Sequence, residues 1–424
     1  MKNITLLLSL SLTLVGTAQA AVRLPATDCA KTPSDARCKF SDASSRIGKT
    51  GTGLPFKLGG FEFIGSGYVD GASNSVVVPV EFGSQDDTQG VVMRVDLATG
   101  NRSIVSGYDG EEWKGAGVAY VSDRGARGEA YDLGRVKVVR PGPGGSILAL
   151  VDKGLQSRSE LIKIDPNTGN RSLVWASKVF NDAAPSGPTA IRDIEAQRFN
   201  FGSNALCRGG DKTALKPSET FETDGQFAYF FLANSPSGTG IGLVKVPLSG
   251  GNCSWVSQYW PDGKSEIGAG PTINTLSPLV FASSLLGREF VAATGPNPSG
   301  NTLFAINTQT GERRTLSAKN LQTPARSKGA GEAEVGYLGT LAVGSAGIAT
   351  LRGASRTEYF EPVMVNSQTG DRKMPSATGS LKDARDSGSN IVAAIPGTSK
   401  FIVAFGKALH VWDAKTGASF LLSQ

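Results

Sequence analysis

The sequence predicts an all-β protein made of repeated four-stranded units. Three observations support this fold class: a turn motif that recurs six times, short apolar runs on both sides of each copy, and a glycine-rich composition. The 424-residue chain has 54 glycines, and only 19% of its residues are charged, which is typical of turn-rich β proteins. A unit that recurs along one chain indicates a repeat architecture.

The recurring unit is the turn of a β-hairpin. An aspartate at its start can accept hydrogen bonds from its own backbone two residues on, so Asp96, Asp165 and Asp413 are expected to cap turns rather than act as catalytic acids. A glycine near its end is expected to have a positive φ. The glycines concerned are Gly100, Gly169, Gly311, Gly370 and Gly417. The six copies are Val95–Arg102, Ile164–Arg171, Val246–Cys253, Ile306–Arg313, Val365–Arg372 and Trp412–Ser419.

The spacing of the turns predicts a β-propeller with six four-stranded blades. Successive turn glycines are 47 to 81 residues apart. One blade needs about 40–50 residues, so each interval holds one blade with loop insertions. Seven blades is the alternative, because the longest interval could hold another blade. The strands are continuous apolar runs, such as Val136–Val139 and Ile391–Ile395, which favours sheets buried on both faces.

One order of elements resembles known propeller families. A strand, the Pro-Gly-rich turn Pro141–Gly145, a second strand, a loop and a strand ending in Ile-Asp-x-x-Thr-Gly-x-Arg follow one another in the second unit. This order is similar to that in the six-bladed NHL, YWTD and TolB-like propellers. The resemblance covers most of residues 57–424. It concerns architecture, points to no specific family, and transfers no functional residue to this chain.

The N-terminal residues predict export. Residues 1–20 have the basic Lys2, an apolar stretch over Ile4–Val15 and the small residues Ala18 and Ala20, as a secretory signal peptide does. The apolar stretch is too short to span a membrane, so the mature chain is expected in the periplasm or outside the cell without a transmembrane segment. Residues 21–56 are then a polar arm and 57–424 the propeller domain. The ring is expected to close through contacts between the first and last blades or through a strand supplied by the arm.

Four cysteines suit an oxidising compartment. Four cysteines allow three pairings. We expect Cys29–Cys38, which are close in sequence, and Cys207–Cys253, which belong to the same unit. Buried free thiols are the alternative, and a metal site is disfavoured because no two cysteines have Cys-x-x-Cys spacing.

Several chemistries are absent from the sequence. His410 is the only histidine and lies in an apolar strand, which favours a structural role and excludes multi-histidine metal sites. No nucleophile elbow, phosphate-binding loop or haem-attachment motif is present.

The net charge is +6, with basic residues scattered rather than clustered, so no nucleic-acid partner is expected. No cofactor is expected either. Loop carboxylates could hold Ca²⁺, which takes oxygen ligands and needs no histidine.

Two long insertions are the expected binding face. They span residues 106–135 and 177–226 and concentrate charged side chains. Loops on a rigid scaffold carry function more often than the scaffold itself, although these loops could instead only cover blade edges. The residues expected to contact a partner are Trp113, Glu111, Glu112, Asp123, Arg124 and Asp193.

Two functions are compatible with the sequence. The first is a monomeric, exported propeller that binds a protein or a cell-envelope polymer through one loop face. The alternative is a histidine-independent hydrolase, lactonase-like or glycan-cleaving, that uses carboxylates and Ca²⁺. Oxygen ligands that converge at the mouth of the central channel would favour the hydrolase, whereas a plugged channel would favour binding.

Overall fold

In the computed structural model of the chain, six sheets form a six-bladed β-propeller. The main strands of each sheet are antiparallel, and the sixth sheet has one short parallel strand, Thr378–Gly379. The predicted fold and blade number are confirmed, and the seven-bladed alternative is wrong. Among the described residues, no helix is long and apolar enough to cross a membrane. The structure describes residues 21–38, 50–53, 56, 63–84, 87–108, 113–117, 133, 135–152, 159–176, 217–232, 241–250, 253–259, 265–271, 280–294, 302–318, 328–331, 341–351, 361–382, 390–405 and 407–424.

Each blade is one sheet of strands that are consecutive in the chain. The first blade contains β1 (Phe63–Ile64), β2 (Tyr68–Asp70), β3 (Ser75–Ser84), β4 (Asp87–Asp96), β5 (Arg102–Tyr108) and β6 (Trp113–Lys114). The second contains β7 (Arg135–Pro141), β8 (Ile147–Asp152), β9 (Ser159–Ile164) and β10 (Arg171–Ala176). The third contains β11 (Pro217–Thr223), β12 (Phe227–Leu232), β13 (Ile241–Pro247), β14 (Ser254–Tyr259) and β15 (Ser265–Ile267).

The other three blades follow the same plan. The fourth contains β16 (Val280–Leu286), β17 (Glu289–Thr294), β18 (Thr302–Asn307) and β19 (Arg313–Ala318). The fifth contains β20 (Leu341–Gly344), β21 (Gly347–Leu351), β22 (Pro362–Val365) and β23 (Arg372–Lys373). The sixth contains β24 (Thr378–Gly379), β25 (Asn390–Ala394), β26 (Lys400–Phe405), β27 (Ala408–Asp413) and β28 (Ala418–Ser423). Two short 3₁₀ helices span Ala36–Cys38 and Pro143–Gly145.

The first strands of the blades surround the propeller axis. β7, β11, β16, β20 and β25 each contact the corresponding strand of the next blade. In the first blade this inner strand is interrupted between β1 and β2. There the Ser66 amide donates to the Lys137 carbonyl at 3.0 Å, and the Gly67 amide donates to the Val392 carbonyl at 3.0 Å. The first blade is therefore hydrogen-bonded at the axis to both the second and the sixth blade.

The hydrophobic core lies between the blades. Successive strand residues point to opposite faces of a sheet, so both faces of each blade must be apolar. Val76 and Val78 of β3 pack with Val392 of the sixth blade, whereas Val77 packs with Val136 of the second. All three of these β3 valines are fully buried. Six such clusters separate the six blades, which explains why the strands are uniformly apolar rather than alternating.

The recurring turns have the predicted chemistry. The Asp165 carboxylate accepts hydrogen bonds from the Asn167 amide at 2.8 Å and the Thr168 amide at 3.0 Å. Asp96 and Asp413 cap their own turns in the same way. The predicted positive φ is found at all five glycines, with values of 73° to 80°: Gly100, Gly169, Gly311, Gly370 and Gly417.

The turns also clamp neighbouring blades together through the arginine of the motif. Arg372 of the fifth blade donates through Nη1 to Ser317 Oγ of the fourth blade at 2.7 Å. Its backbone amide donates to the carbonyl of Ala330, which lies in a short Gly-x-Gly strip over Gly329–Gly331 between the two blades. The same serine-arginine pairing recurs at three more blade interfaces: Ser106 with Arg171, Ser257 with Arg313, and Ser423 with Arg102.

The N-terminal arm closes the ring by supplying one of these strips. Among the described residues, Gly-x-Gly strips lie at four of the blade interfaces, and three of them come after the outer strands of a blade. The strip between the sixth and first blades is instead Gly51–Gly53, which belongs to the N-terminal arm. The Arg102 amide donates to the Thr52 carbonyl at 2.8 Å, and the Gln424 amide donates to the Thr50 carbonyl at 3.1 Å. Of the two predicted closures, contacts between the first and last blades are therefore present, and the arm adds a strip rather than a strand. The four main strands of the sixth blade all come from Asn390–Ser423.

In two blades another residue occupies the last position of the motif, where the other four have arginine. In the third blade Cys253 stands at this position and is disulfide-bonded; Cys207, its predicted partner, lies outside the described residues. In the sixth blade Ser419 stands there, and its hydroxyl accepts a hydrogen bond from the Leu381 amide at 2.8 Å.

The predicted Cys29–Cys38 disulfide is present, and the 3₁₀ helix that contains Cys38 contacts β28.

Candidate functional site

Most of the residues predicted to contact a partner fall outside the described part of the chain. These are Glu111, Glu112, Asp123, Arg124 and Asp193. Trp113 lies in β6, where its backbone pairs with that of Tyr108. These six residues remain a prediction.

The structure narrows the two insertions that were predicted to carry binding. In the first, Ser106 and residues 113–117 belong to the clamp between the first and second blades, and Leu133 is buried in the core between the same blades. In the second, residues 217–223 form β11 at the axis. Residues 109–112, 118–132 and 177–216 lie outside the described residues, and their role in binding stays a prediction. Sequence reasoning drew wider limits because the glycine-rich strips and the polar start of β11 have the composition of loops.

Strand topology places the end of the fourth strand of one blade and the start of the first strand of the next blade at the same end of the propeller. A blade with four antiparallel main strands begins and ends at the same end of the molecule. The connections from β5 to β7 and from β10 to β11 therefore join strand ends at one end, which we call the connection end. The recurring Asp-Gly turns join the third and fourth strands and lie at the opposite end, which we call the turn end.

A charged network occupies the propeller axis. Arg140 of the second blade donates to the Glu222 carboxylate of the third blade through Nε at 2.9 Å and Nη2 at 2.7 Å. It also reaches the Gly67 carbonyl of the first blade at 3.3 Å and the Ser283 carbonyl of the fourth at 3.4 Å. One arginine thus joins the inner strands of four blades. Arg140 and Glu222 are 7% and 5% exposed, so the pair lies in the interior.

The same network satisfies the other polar groups around Glu222. Ser283 Oγ donates to Glu222 Oε1 at 3.0 Å, and it shares a 2.7 Å hydrogen bond with Thr220 Oγ1. Burial raises the pKa of Glu222, while the charge and hydrogen bonds of Arg140 and the hydrogen bond of Ser283 act to lower it. Both oxygens of this carboxyl group, whose pKa is raised by burial, accept hydrogen bonds from Arg140. It is therefore committed to a structural pair rather than open to a substrate.

Sequence reasoning missed this network. It treated Glu222 as a charge on a loop and did not single out Arg140. The sequence did contain a signal for it. Arg140 and Glu222 are charged residues within strands that the fold buries, and buried charges in proteins are paired. Their partnership could not be found from the sequence, because the two residues are 82 positions apart.

The only histidine is part of the core of the sixth blade. His410 is fully buried, and its Nδ1 lies 2.9 Å from Ser380 Oγ. Burial lowers its pKa to about 4, so the ring is neutral at physiological pH. This agrees with the structural role expected for it. Within the described residues, no group of three or more His, Cys, Asp or Glu side chains is placed to hold a metal ion.

Comparisons with known proteins find similarity in structure but not in sequence. No family model and no curated protein matches the chain. The uncharacterised protein lmo1340 from Listeria monocytogenes EGD-e is 9% identical, with a TM-score of 0.40 over 88% of this chain and 97% of that one. TolB from Acinetobacter baumannii is 12% identical, with a TM-score of 0.35 over 76% of this chain and 56% of that one. A puromycin-hydrolyzing peptidase from Mycobacterium tuberculosis is 12% identical, with a TM-score of 0.40 over 84% and 52%.

Proposed function

We propose that this protein is an exported, monomeric binding propeller that holds a protein or a cell-envelope polymer at its connection end. The observation that supports this most strongly is the Arg140–Glu222 network at the axis. It commits a carboxyl group near the axis to a structural pair, which does not favour a carboxylate-based hydrolase. Loops at the rim of the rigid scaffold are then the expected binding surface.

The topology supports the choice of end. Segment 177–216 is flanked by strand ends at the connection end, whereas segment 118–132 runs from the Gly115–Gly117 strip, beside the turn of the second blade, to the start of β7 at the connection end. Together the two segments contain Asp123, Arg124 and Asp193. The turn end, by contrast, is built mostly of short turns that repeat from blade to blade. Repetitive turns offer little with which to distinguish one macromolecule from another.

Export is supported by the cysteines as well as by the predicted signal peptide at residues 1–20. The Cys29–Cys38 disulfide is formed, and Cys253 is disulfide-bonded too. Structural disulfides of this kind persist in oxidising compartments such as the periplasm or the extracellular space.

A deletion within the first segment tests the proposal. Residues 119–131 are replaced by a short Gly-Ser linker, which leaves Gly115–Gly117 and the buried Leu133 in place. The immobilised mature protein is incubated with an envelope extract that has been separated into protein and polysaccharide fractions. We expect the intact chain to retain a component of one fraction and the deletion variant to lose it.

The control is a variant altered at the other end, Lys415→Gln, in an exposed turn of the sixth blade. It should retain the same component as the intact chain, and thermal unfolding should show that both variants are folded. Retention by a folded variant that lacks 119–131 would remove the first segment from the site. If a matching deletion in 177–216 also left retention intact, the connection end would not be the binding face. Turnover of a glycan or lactone by the intact protein would instead favour the hydrolase.

A further inference from the structure

A crevice lies between the third and fourth blades at the turn end. Its volume is about 500 Å³, within the range of small-molecule sites. The turns between β11 and β12, β16 and β17, and β18 and β19 form it. The residues that matter here are Asp224, Phe227, Tyr229, Lys245, Arg288 and Gln309.

Asp224 lies in the crevice with its carboxylate already satisfied by neutral donors. Its Oδ1 accepts from the backbone amides of Gln226 at 2.9 Å and Phe227 at 2.8 Å. Its Oδ2 accepts from the Tyr229 hydroxyl at 2.7 Å. Burial raises the pKa of Asp224, but these hydrogen bonds outweigh it and hold the pKa below its usual value. Neutral donors thus hold the carboxylate in its ionised form, and among the residues that the structure describes no basic side chain is its partner.

Two basic side chains face the same space. Lys245 Nζ lies 4.9 Å from the centre of the Phe227 ring, a cation–π contact. Arg288 donates through Nη1 to the Gln309 side-chain oxygen at 2.7 Å. Within the part of the chain that the structure describes, neither group forms an ion pair with a carboxylate. An arginine has five N–H donors, and this contact uses one of them. The crevice therefore has two cations that can accept an anion, beside one carboxylate, Asp224, whose oxygens are already hydrogen-bonded.

The remaining lining indicates what kind of anion fits. A guanidinium matches a planar carboxylate with two parallel hydrogen bonds. The side-chain amides of Gln226 and Gln309 can hydrogen-bond hydroxyl groups, and Leu285 adds a small apolar surface. A peptide is disfavoured because the strands beside the crevice are already paired within their own blades, so no sheet edge is offered to a peptide backbone.

We propose that this crevice binds a carboxylated saccharide, such as a uronic acid unit of an acidic polysaccharide. The carboxylate lies between Lys245 and Arg288, and the sugar hydroxyls meet the amide side chains. The site lies between the third and fourth blades and shares no residue with the segments proposed to bind a macromolecule. Its test is therefore independent of the test of that proposal.

The test is calorimetric titration of the full mature protein with trigalacturonate at low salt, with the neutral sugar maltotriose for comparison. We expect trigalacturonate to bind and maltotriose to bind at least tenfold more weakly. Lys245→Met and Arg288→Gln should each weaken trigalacturonate binding at least fivefold, and added salt should weaken it further. Lys415→Gln, which removes an exposed cation from another turn at the same end, should leave the affinity unchanged.

Several results would overturn the proposal. They are the absence of trigalacturonate binding at millimolar concentration, equal binding of the two sugars, or affinities of both variants equal to that of the wild type. An acidic tripeptide that binds more tightly than trigalacturonate would show that the site takes a peptide instead. Arg288 is exposed, so its variant tests the site even if Lys245→Met does not fold.

Discussion

Gly169 offers a direct test of how the repeated turns hold adjacent blades together. Its φ is +76°, and a Cβ added there would lie 2.3 Å from the Val105 carbonyl oxygen of the neighbouring blade. Gly397 has nearly the same conformation, with a φ of +71°, but a Cβ there would meet no atom within 4 Å. The pair Gly169→Ala and Gly397→Ala therefore separates the cost of the backbone conformation from the cost of close packing.

The expected magnitudes follow from this geometry. An L-residue in the left-handed region costs about 1–2 kcal/mol, which is all that Gly397→Ala should lose. Gly169→Ala should lose this and the cost of overpacking, about 1–3 kcal/mol more. Val105 cannot easily move aside because it is buried in β5, between two residues that pair with β4. The total for Gly169→Ala is then about 2–5 kcal/mol.

The assay is urea unfolding at pH 7, followed by tryptophan fluorescence, with the wild type and both variants measured together. If the free energy of unfolding falls with urea concentration at the same slope in all three proteins, differences in midpoint report differences in the free energy of unfolding. Equal losses in the two variants would refute the packing argument. A Gly169→Ala midpoint equal to that of the wild type would refute the turn conformation as well.

Three further predictions concern buried charge, pH and the second disulfide. Arg140→Leu should cost about 3–5 kcal/mol in urea unfolding because it leaves Glu222 charged and unpaired, and adding Glu222→Gln should recover part of this loss; no recovery would contradict the pairing. Because burial lowers the pKa of His410 from 6.5 to about 4, the folded state binds fewer protons than the unfolded state. About 3 kcal/mol of stability present above pH 6.5 should therefore be lost as the pH falls to 4, and a His410→Gln variant with the same pH dependence as the wild type would disprove this. A non-reduced digest should contain a peptide pair that joins Cys207 to Cys253, and finding both cysteines alkylated would exclude the bridge.

The turn motif illustrates how far sequence reasoning reaches. Asp165 and Gly169 were assigned their roles from four or five neighbouring residues, and the structure has both as expected. The arginine at the end of the motif was part of the repeat, but its role was not predicted. It donates to a serine of the preceding blade, 65 residues away for Arg171 and 55 for Arg372. Nothing within the motif itself specifies that partner.

By itself, the sequence determined the all-β class, the six blades and the capped glycine turns, because these depend on local backbone chemistry and on spacing along the chain. Tertiary structure alone decided which charges meet at the axis, which strip closes the ring, and which basic groups share the crevice between the third and fourth blades. Arg102 and Ser423, for example, are 321 residues apart and meet only because the ring is closed. Pairings of this kind depend on how the blades stack around the axis, and no local pattern encodes that arrangement.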